Sequence, residues 1–229
     1  MQIVFQDPYE ALNPRMTVGQ IVAEPLEVHR LAGSRAEQRQ AVLAALDEVG
    51  LRPAAEFFDR RPHELSGGQR QRVVIAGALV TGPRLLIADE PVSMLDVSIR
   101  AEILHLLNDL RARRGISILF ITHDLATAAI FADRIAVMYL GRIVEIGPAA
   151  AVLEAPLHPY TRALLSVISR LDPRRTRAPL VLHGETPNPA DIPPGCRFHP
   201  RCPLAIATCR ATDPPLEHKQ GHEAACIRV

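Results

Sequence analysis

The sequence predicts an α/β protein with a parallel sheet. Three short apolar runs carry this prediction: LLIA at 85–88, ISILFI at 116–121 and RIAVMYL at 134–140. Between them we expect helices at 98–114 and 124–132. Apolar strands that alternate with helices are typical of a parallel sheet with both faces covered.

A helix upstream of these runs and a change in composition downstream of them complete the outline. The stretch AEQRQAVLAALDEVG at 36–50 has apolar residues at helical spacing, and Gly50 suits a C-terminal cap. Half of the 20 prolines and all four cysteines follow residue 172. We therefore place a domain boundary near Leu171, with a main domain at 1–171 and an extension at 172–229.

Composition and charge exclude several classes of protein. With 229 residues and 48% apolar residues the chain can bury one sizeable core. Its 26 basic and 25 acidic residues are interspersed, so the sequence has no basic patch for DNA or RNA. No apolar run is long enough to span a membrane, and no secretory signal is present at the N-terminus. These features predict a cytosolic protein that does not bind nucleic acid.

The segment ELSGGQRQR at 64–72 has two readings. Ser66 and Gln69 have the spacing of a capping box, in which each side chain binds the backbone of the other residue. That box does not explain Gly67 and Gly68, since glycine costs roughly 1 kcal/mol per residue in a helix. Bared backbone N–H groups at a helix N-terminus suit an anion such as a phosphate.

Three polar residues follow the apolar runs. Asp89 and Glu90 could simply end a strand before Pro91 opens a helix. They would also lie at the carboxyl edge of a parallel sheet, where such folds bind ligands. One carboxylate can hold Mg²⁺ with substrate phosphates, and the other can accept a proton from water. His123 follows the next strand, either as a structural residue or as a contact to a phosphate.

Five segments, taken in this order, resemble one family: the nucleotide-binding subunits of ABC transporters. FQDP with Gln6 is similar to the Q-loop, LSGGQ to the family signature and LLIADE to the Walker B strand. SMLD at 93–96 resembles the D-loop, and THD with His123 the H-loop. The stretches QDPYEALNPRMTVGQ, HPYTRALL and GCRFHPRCPLA resemble the branch that imports dipeptides and oligopeptides.

The resemblance implies a P-loop NTPase-type ABC domain with a helical subdomain at about residues 16–76, and the branch's C-terminal extension at 172–229. It implies ATP and Mg²⁺ as cofactors and ATP hydrolysis as the reaction. It implies that Glu90 is the general base, that His123 contacts the γ-phosphate and that Asp89 is a Mg²⁺ ligand. Gln6 would couple to water and Mg²⁺, and Asp96 would make the D-loop contact. The signature residues would bind the ATP of a second subunit: Ser66, Gly67, Gly68 and Gln69.

One motif of that family does not occur in the sequence. The Walker A loop, GxxxxGK[ST], should precede the Q-loop, but the single lysine of the chain is Lys219. We expect the sequence to be a fragment, inactive alone. The alternative is a naturally truncated, non-catalytic subunit that supplies LSGGQ to a partner. An in-frame Walker A motif upstream of Met1 would decide between them.

The resemblance also implies partners and a location. The expected assembly contains a second ATPase subunit, identical or different, two membrane permeases and an external peptide-binding protein. It would place the chain at the cytoplasmic face of the inner membrane. Importers of nickel or glutathione in the same branch stay open as alternatives. ABC clamps on nucleic acid are a further class, disfavoured by the neutral charge balance.

The four cysteines, Cys196, Cys202, Cys209 and Cys226, have three readings. They could be buried free thiols, or zinc ligands with His199, His218 or His222 in place of one sulfur, although a C-x₂-C zinc pair is absent. Four thiolates in a cytosolic tail also suit a [4Fe–4S] cluster. Similar tails in the branch hold such a cluster, so we predict a structural one.

Overall fold

The computed structural model describes residues 1–167, 180, 182 and 184–229. These residues form two compact units, Met1–His123 and Asp124–Val229. The predicted boundary near Leu171 lies outside the described residues, so the limits 1–171 and 172–229 stay predictions.

The first unit contains three strands and six helices. The strands are β1 (Gln2–Val4), β2 (Leu85–Asp89) and β3 (Ser117–Ile121); the helices are α1 (Pro8–Ala11), α2 (Val18–Val28), α3 (Arg35–Glu48), α4 (Ala54–Phe58), α5 (Gly67–Leu79) and α6 (Val97–Arg114). A 3-10 turn at Pro62–Glu64 precedes α5. The strands form one parallel sheet in the order β1-β2-β3, with Ile3, Ile87 and Leu119 in register.

Local sequence sets the ends of these helices. Thr17, Ser34 and Ser66 each begin a helix with a complete capping box, which satisfies backbone N–H groups that the first turn leaves free. Gly115 ends α6 in the left-handed region, at φ 62°. Helices α2 to α5 lie in the stretch predicted as a helical subdomain.

The predicted elements of the first unit occur with small shifts. The helix expected at 36–50 is α3, and Gly50 follows it with φ 80°. The strands expected at 85–88 and 116–121 are β2 and β3. The expectation that both faces of the sheet are covered does not hold at β3, because the side chains of Leu119 and Ile121 are 53% and 45% exposed.

The second unit is built on an antiparallel sheet. Its strands are β4 (Arg134–Tyr139), β5 (Arg142–Pro148), β6 (Glu217–Lys219) and β7 (His222–Ala224), in the order β4-β5-β7-β6. Its helices are α7 (Leu125–Phe131), α8 (Ala149–Glu154), α9 (Pro159–Ser166) and α10 (Ala207–Ala211), with a 3-10 turn at His199–Arg201.

The run at 134–140 was expected in the parallel sheet, and the structure corrects this. Strand β4 pairs antiparallel with β5. The connection is only Leu140 and Gly141, both at positive φ (46° and 74°), as in a tight hairpin turn. Two residues cannot return a chain to a parallel strand, so the turn decides the pairing.

An aromatic cluster forms the core of the second unit. Phe198 is 1% exposed, and its ring packs edge-on against Tyr139 at 5.2 Å between centroids. Tyr139 makes a similar contact with Tyr160 at 4.7 Å. Cys196 and Cys202 pack against the same cluster. No helix in the described part of the chain is both long and apolar enough to cross a membrane.

Candidate functional site

Three predicted polar residues lie at the carboxyl edge of the parallel sheet. Gln6 follows β1, Glu90 follows β2 and His123 follows β3. Because the strands are parallel and adjacent, their ends meet at one edge, where α/β folds bind ligands. The sequence therefore brings together side chains that are 84 and 33 residues apart along the chain.

Glu90 is the centre of this group. Its Oε2 accepts a hydrogen bond from the side-chain nitrogen Nε2 of Gln6 at 3.1 Å, and Nδ1 of His123 lies 2.9 Å from its Oε1. Both carboxylate oxygens are thus engaged by residues from the neighbouring strand ends. The His123 side chain is 75% exposed and that of Glu90 22%, so the cluster opens to solvent.

The backbone of Glu90 has a conformation that is uncommon for this residue type. Its φ is 43°, in the left-handed region that non-glycine residues seldom occupy. Its N–H donates to the carbonyl of Ile121 at 3.0 Å, and its carbonyl accepts from the N–H and the hydroxyl of Ser93. These bonds hold the turn in place, so the carboxylate leaves the sheet edge in a fixed direction.

Asp89 is the last residue of β2, in register with Ile121, and its side chain is half-buried. A carboxylate at this position can supply an oxygen ligand to Mg²⁺, which keeps several waters and binds through one or two carboxylates. Its role, like those of Gln6, Glu90 and His123, stays a proposal.

The segment LSGGQ begins helix α5, and the structure contains the predicted capping box. The hydroxyl of Ser66 accepts from the N–H of Gln69 at 3.3 Å, and the Gln69 side chain accepts from the N–H of Ser66 at 3.0 Å. The box leaves the N–H groups of Gly67 and Gly68 at the positive end of the 13-residue helix α5. The capping and anion readings are therefore compatible.

Packing against neighbouring side chains also favours glycine at both positions. A Cβ on Gly68 would lie 2.7 Å from Cγ2 of Ile99, and a Cβ on Gly67 would lie 3.3 Å from the hydroxyl of Tyr9. Ile99 belongs to helix α6, which Asp96 caps by accepting from the N–H of Ile99 at 3.0 Å. The predicted D-loop residue thus anchors the helix that touches the signature.

The four cysteines of the second unit lie near one another. The N–H of Cys196 donates to the carbonyl of Cys209 at 2.9 Å, and the N–H of Arg228 reaches the sulfur of Cys226 at 3.4 Å. Burial raises the pKa of Cys196 and of Cys202, and backbone hydrogen bonds oppose this effect. Cys209 and Cys226 raise the pKa of both thiols further.

The described residues contain no group of three or more metal-ligating side chains placed to hold a metal ion. Of the three histidines named above as alternative zinc ligands, His222 is hydrogen-bonded to Glu145 instead, with 2.6 Å between its Nε2 and a carboxylate oxygen. His199 contacts the carbonyl of Cys196 with its Nδ1 at 2.9 Å.

Sequence reasoning missed a buried polar cluster around Glu145 in β5. Glu145 is fully buried and accepts from the N–H groups of Leu157 (2.7 Å) and His158 (2.9 Å) as well as from His222. A carboxylate inside the otherwise apolar run RIVEIG was the available signal. Burial, with a contribution from Arg162 and against the opposing effect of Glu145, lowers the pKa of His158 to about 4.

Comparison with known families gives two matches. A family model described as "ABC transporter" matches residues 1–93. A second, described as "Oligopeptide/dipeptide transporter, C-terminal region", matches residues 144–209.

Curated relatives match along the whole chain. A probable peptide ABC transporter ATP-binding protein of Sinorhizobium fredii is 51% identical over 227 residues, which are 99% of this chain and 64% of that protein. The dipeptide transport ATP-binding protein of Haemophilus influenzae and the oligopeptide transport ATP-binding protein of Escherichia coli are each 48% identical, over all of this chain and 69% of their own lengths. The chain thus spans about two thirds of the length of these relatives.

A solved structure shares the fold. It is the ATP-binding cassette MJ0796, determined as a dimer in a post-hydrolysis state with ADP and Pi. The TM-score is 0.56 at 34% identity, and the match covers 65% of this chain and 62% of that one. The predicted fold class and the predicted family resemblance are both confirmed.

Proposed function

This chain belongs to the ATP-binding proteins of the ABC transporters, in the branch of dipeptide and oligopeptide transport, and we propose that the complete protein hydrolyses ATP to drive uptake of short peptides. The observation that carries the proposal is Glu90, fixed at the carboxyl edge of the parallel sheet between Gln6 and His123. ATP hydrolysis is the activity of this family. That residues 1–229 alone are inactive stays a prediction.

Each site residue has a separate role in the proposed reaction. Glu90 accepts the proton of the attacking water, a role worth roughly 10² to 10⁴ in rate. Gln6 would orient that water, and His123 would contact the γ-phosphate. Asp89 is the residue to hold Mg²⁺, which when bound neutralises charge on the phosphates.

The signature would act on ATP held by a second ATPase subunit. Gly67 and Gly68 present backbone N–H groups at the start of α5, where the helix dipole favours negative charge. The proposed assembly therefore contains two ATPase subunits, two membrane permeases and an external peptide-binding protein, with this subunit at the cytoplasmic face of the membrane.

The test of hydrolysis uses the complete protein, co-purified with its membrane partners. Glu90→Gln should lower ATP turnover by roughly 10²-fold or more while ATP still binds, because the amide cannot accept the proton. Glu24→Gln, which changes an exposed glutamate on α2, is the matched control and should hydrolyse ATP normally. Turnover that survives Glu90→Gln would rule out the proposed role.

The test of the substrate is uptake by cells that lack the whole gene. We expect the uptake of labelled dipeptides and oligopeptides to fall, and the intact gene to restore it. Unchanged peptide uptake with a loss of nickel or glutathione uptake would assign the transporter to one of those substrates instead.

We also propose that Cys196, Cys202, Cys209 and Cys226 hold a [4Fe–4S] cluster. The hydrogen bond from the N–H of Cys196 to the carbonyl of Cys209, and the packing of Cys196 and Cys202 against the same aromatic cluster, support it. A [4Fe–4S] cluster takes four cysteine thiolates, one on each iron, and the chain has four cysteines. The cluster would hold the tail against the aromatic core.

Anaerobic purification of the complete protein tests the cluster. The protein should be brown, and each Cys→Ser change should remove the colour and the iron. His199→Ala and His218→Ala are the matched controls and should keep both. Colourless protein with stoichiometric zinc, or with no metal, would refute the cluster.

A further inference from the structure

Tyr9 lies between two parts of the proposed machinery that are distant in sequence. It belongs to α1, directly after the loop with Gln6, and it contacts the signature at the start of α5. Its ring is 54% exposed, which is unusual for a tyrosine that serves only to fill a core.

Helix α1 begins two residues after Gln6, and Asp7 lies between them. Asp7 caps it by accepting from the N–H of Tyr9 at 2.7 Å, and Pro8, at the first helical position, is buried. The N–H of Ala11 closes the turn on the carbonyl of Asp7 at 3.0 Å. Gln6 is thus bonded directly to the residue that caps α1 and holds the N–H of Tyr9.

Tyr9 contacts the signature at two points. Its hydroxyl stands 3.3 Å from the position of a Cβ on Gly67, so it lies directly over this glycine. Its ring lies under the guanidinium of Arg70, with 4.2 Å from the ring centroid to Cζ. The Nε of Arg70 donates to the carbonyl of Leu65 at 3.2 Å, so the same guanidinium holds the first residue of LSGGQ.

We propose that Tyr9 is a positioning residue that transmits the state of Gln6 to the signature of the same chain. The inference rests on the proposed function. When Gln6 engages ATP and water in its own site, α1 sets the position of Gly67 and Leu65, which belong to the segment proposed to bind the ATP of the second subunit. Tyr9 thereby makes the two ATP sites of the assembly interdependent without touching either nucleotide.

The experiment measures steady-state ATP hydrolysis by the complete protein, assembled with its partners. Tyr9→Leu should lower kcat roughly tenfold, the size of a lost cation–π contact that is partly shielded from water. The KM for ATP should change less than about twofold, because the residues that bind ATP are intact. Tyr9→Phe keeps the ring under Arg70 and should retain most of the rate.

A double-mutant cycle separates positioning from general stability. If Tyr9 acts through Gln6, then Tyr9→Leu should have little further effect in a Gln6→Ala background. Arg39→Gln is the matched control, since Arg39 stacks on Phe58 at the same 4.2 Å but away from the signature. It should leave kcat unchanged.

Each outcome bears on one proposal. A wild-type kcat for Tyr9→Leu, or a loss that is fully additive with Gln6→Ala, would overturn the role of Tyr9. If Tyr9→Leu does not fold, Arg70→Gln removes the same contact from the other side and must show the same dependence on Gln6. Hydrolysis that persists in Glu90→Gln would instead overturn the proposed function itself.

Discussion

The two units hold their central glutamates in opposite ways. In the first unit Glu90 lies at an open sheet edge, and its partners Gln6 and His123 are side chains at the ends of other strands. In the second unit Glu145 has no exposed surface, and two of its three partners are backbone N–H groups. His222 provides the third contact from 77 residues away.

The difference fits the proposal that Glu90 takes part in a reaction, whereas Glu145 holds the fold together. Side-chain partners at an open edge can exchange for a ligand at little cost, because water replaces whatever they lose. A buried carboxylate whose donors include fixed backbone groups cannot be moved, since breaking a buried charged arrangement costs about 3–5 kcal/mol. Exposure and partner type therefore indicate function better than residue identity does.

The largest expected effect is on the free energy of unfolding. It comes from replacing the central glutamate of each unit by glutamine and comparing the two variants. Glu145→Gln should lower the free energy of unfolding by about 3 kcal/mol or more, because an amide places an N–H₂ against one of the three donors. Glu90→Gln should change it by less than about 0.5 kcal/mol. Chemical denaturation followed by near-ultraviolet circular dichroism measures both, since Tyr9 lies in the first unit and Tyr139 and Tyr160 lie in the second.

Each of these two variants is the control for the other, since both replace a glutamate by glutamine. Equal losses in the two variants would contradict the division between a reactive and a structural glutamate. A small loss for Glu145→Gln alone would mean that the cluster around it tolerates a neutral side chain.

The same contrast explains what the sequence could and could not predict. The contact of Glu90 with His123 was accessible to prediction because both residues follow apolar runs, and adjacent parallel strands bring run ends together. Gln6 was placed in the site only by its resemblance to the Q-loop. The position of Glu145 was not accessible, because β5 carries no alternating pattern and His222 lies in a segment where no strand was expected. The antiparallel pairing of β4 depended on the turn at Leu140 and Gly141, which the apolar pattern does not report.

The Gly67 and Gly68 pair shows a further limit. The sequence predicted a capping box from Ser66 and Gln69 and an anion site at the two glycines, and the box is present. It could not predict that Ile99 and Tyr9 pack against the two glycines, because such contacts depend on how α6 and α1 lie against α5. Their roles toward ATP stay proposals.

The next effect depends on pH and belongs to the second unit. His158 is 1% exposed, and burial lowers its pKa to about 4 from an ordinary value of 6.5. Between these values the unfolded chain binds a proton that the folded chain does not, so stability falls as pH falls through this window. The total loss is about 3 kcal/mol.

His158→Asn tests this pH dependence. The Asn side-chain oxygen can accept from the N–H of Tyr160 as Nδ1 of His158 does at 3.1 Å, but it does not titrate. Denaturation from about pH 7 to about pH 4 should show a shallower loss of stability in the variant than in the natural protein. Parallel curves would mean that His158 takes up its proton without unfolding.

The smallest effect concerns packing at the signature. Gly68→Ala should lower the free energy of unfolding by about 1–3 kcal/mol, because its Cβ would lie 2.7 Å from Cγ2 of Ile99. Adding Ile99→Ala removes that methyl group and leaves the Cβ of residue 99 at 3.8 Å, an ordinary contact. The double variant should therefore recover the stability that Gly68→Ala loses, relative to Ile99→Ala alone.

Ile99→Val is the matched control for this rescue, because valine keeps the methyl group at Cγ2 and should not relieve the clash. Thermal denaturation of Gly68→Ala, alone and combined with each change at residue 99, measures the packing against the single changes at residue 99. ATP turnover by the complete protein then separates packing from binding: recovered stability with turnover still reduced would mean that a bare glycine is needed for the nucleotide as well. Recovery by Ile99→Val, or none by Ile99→Ala, would show that the contact with α6 does not explain the glycine.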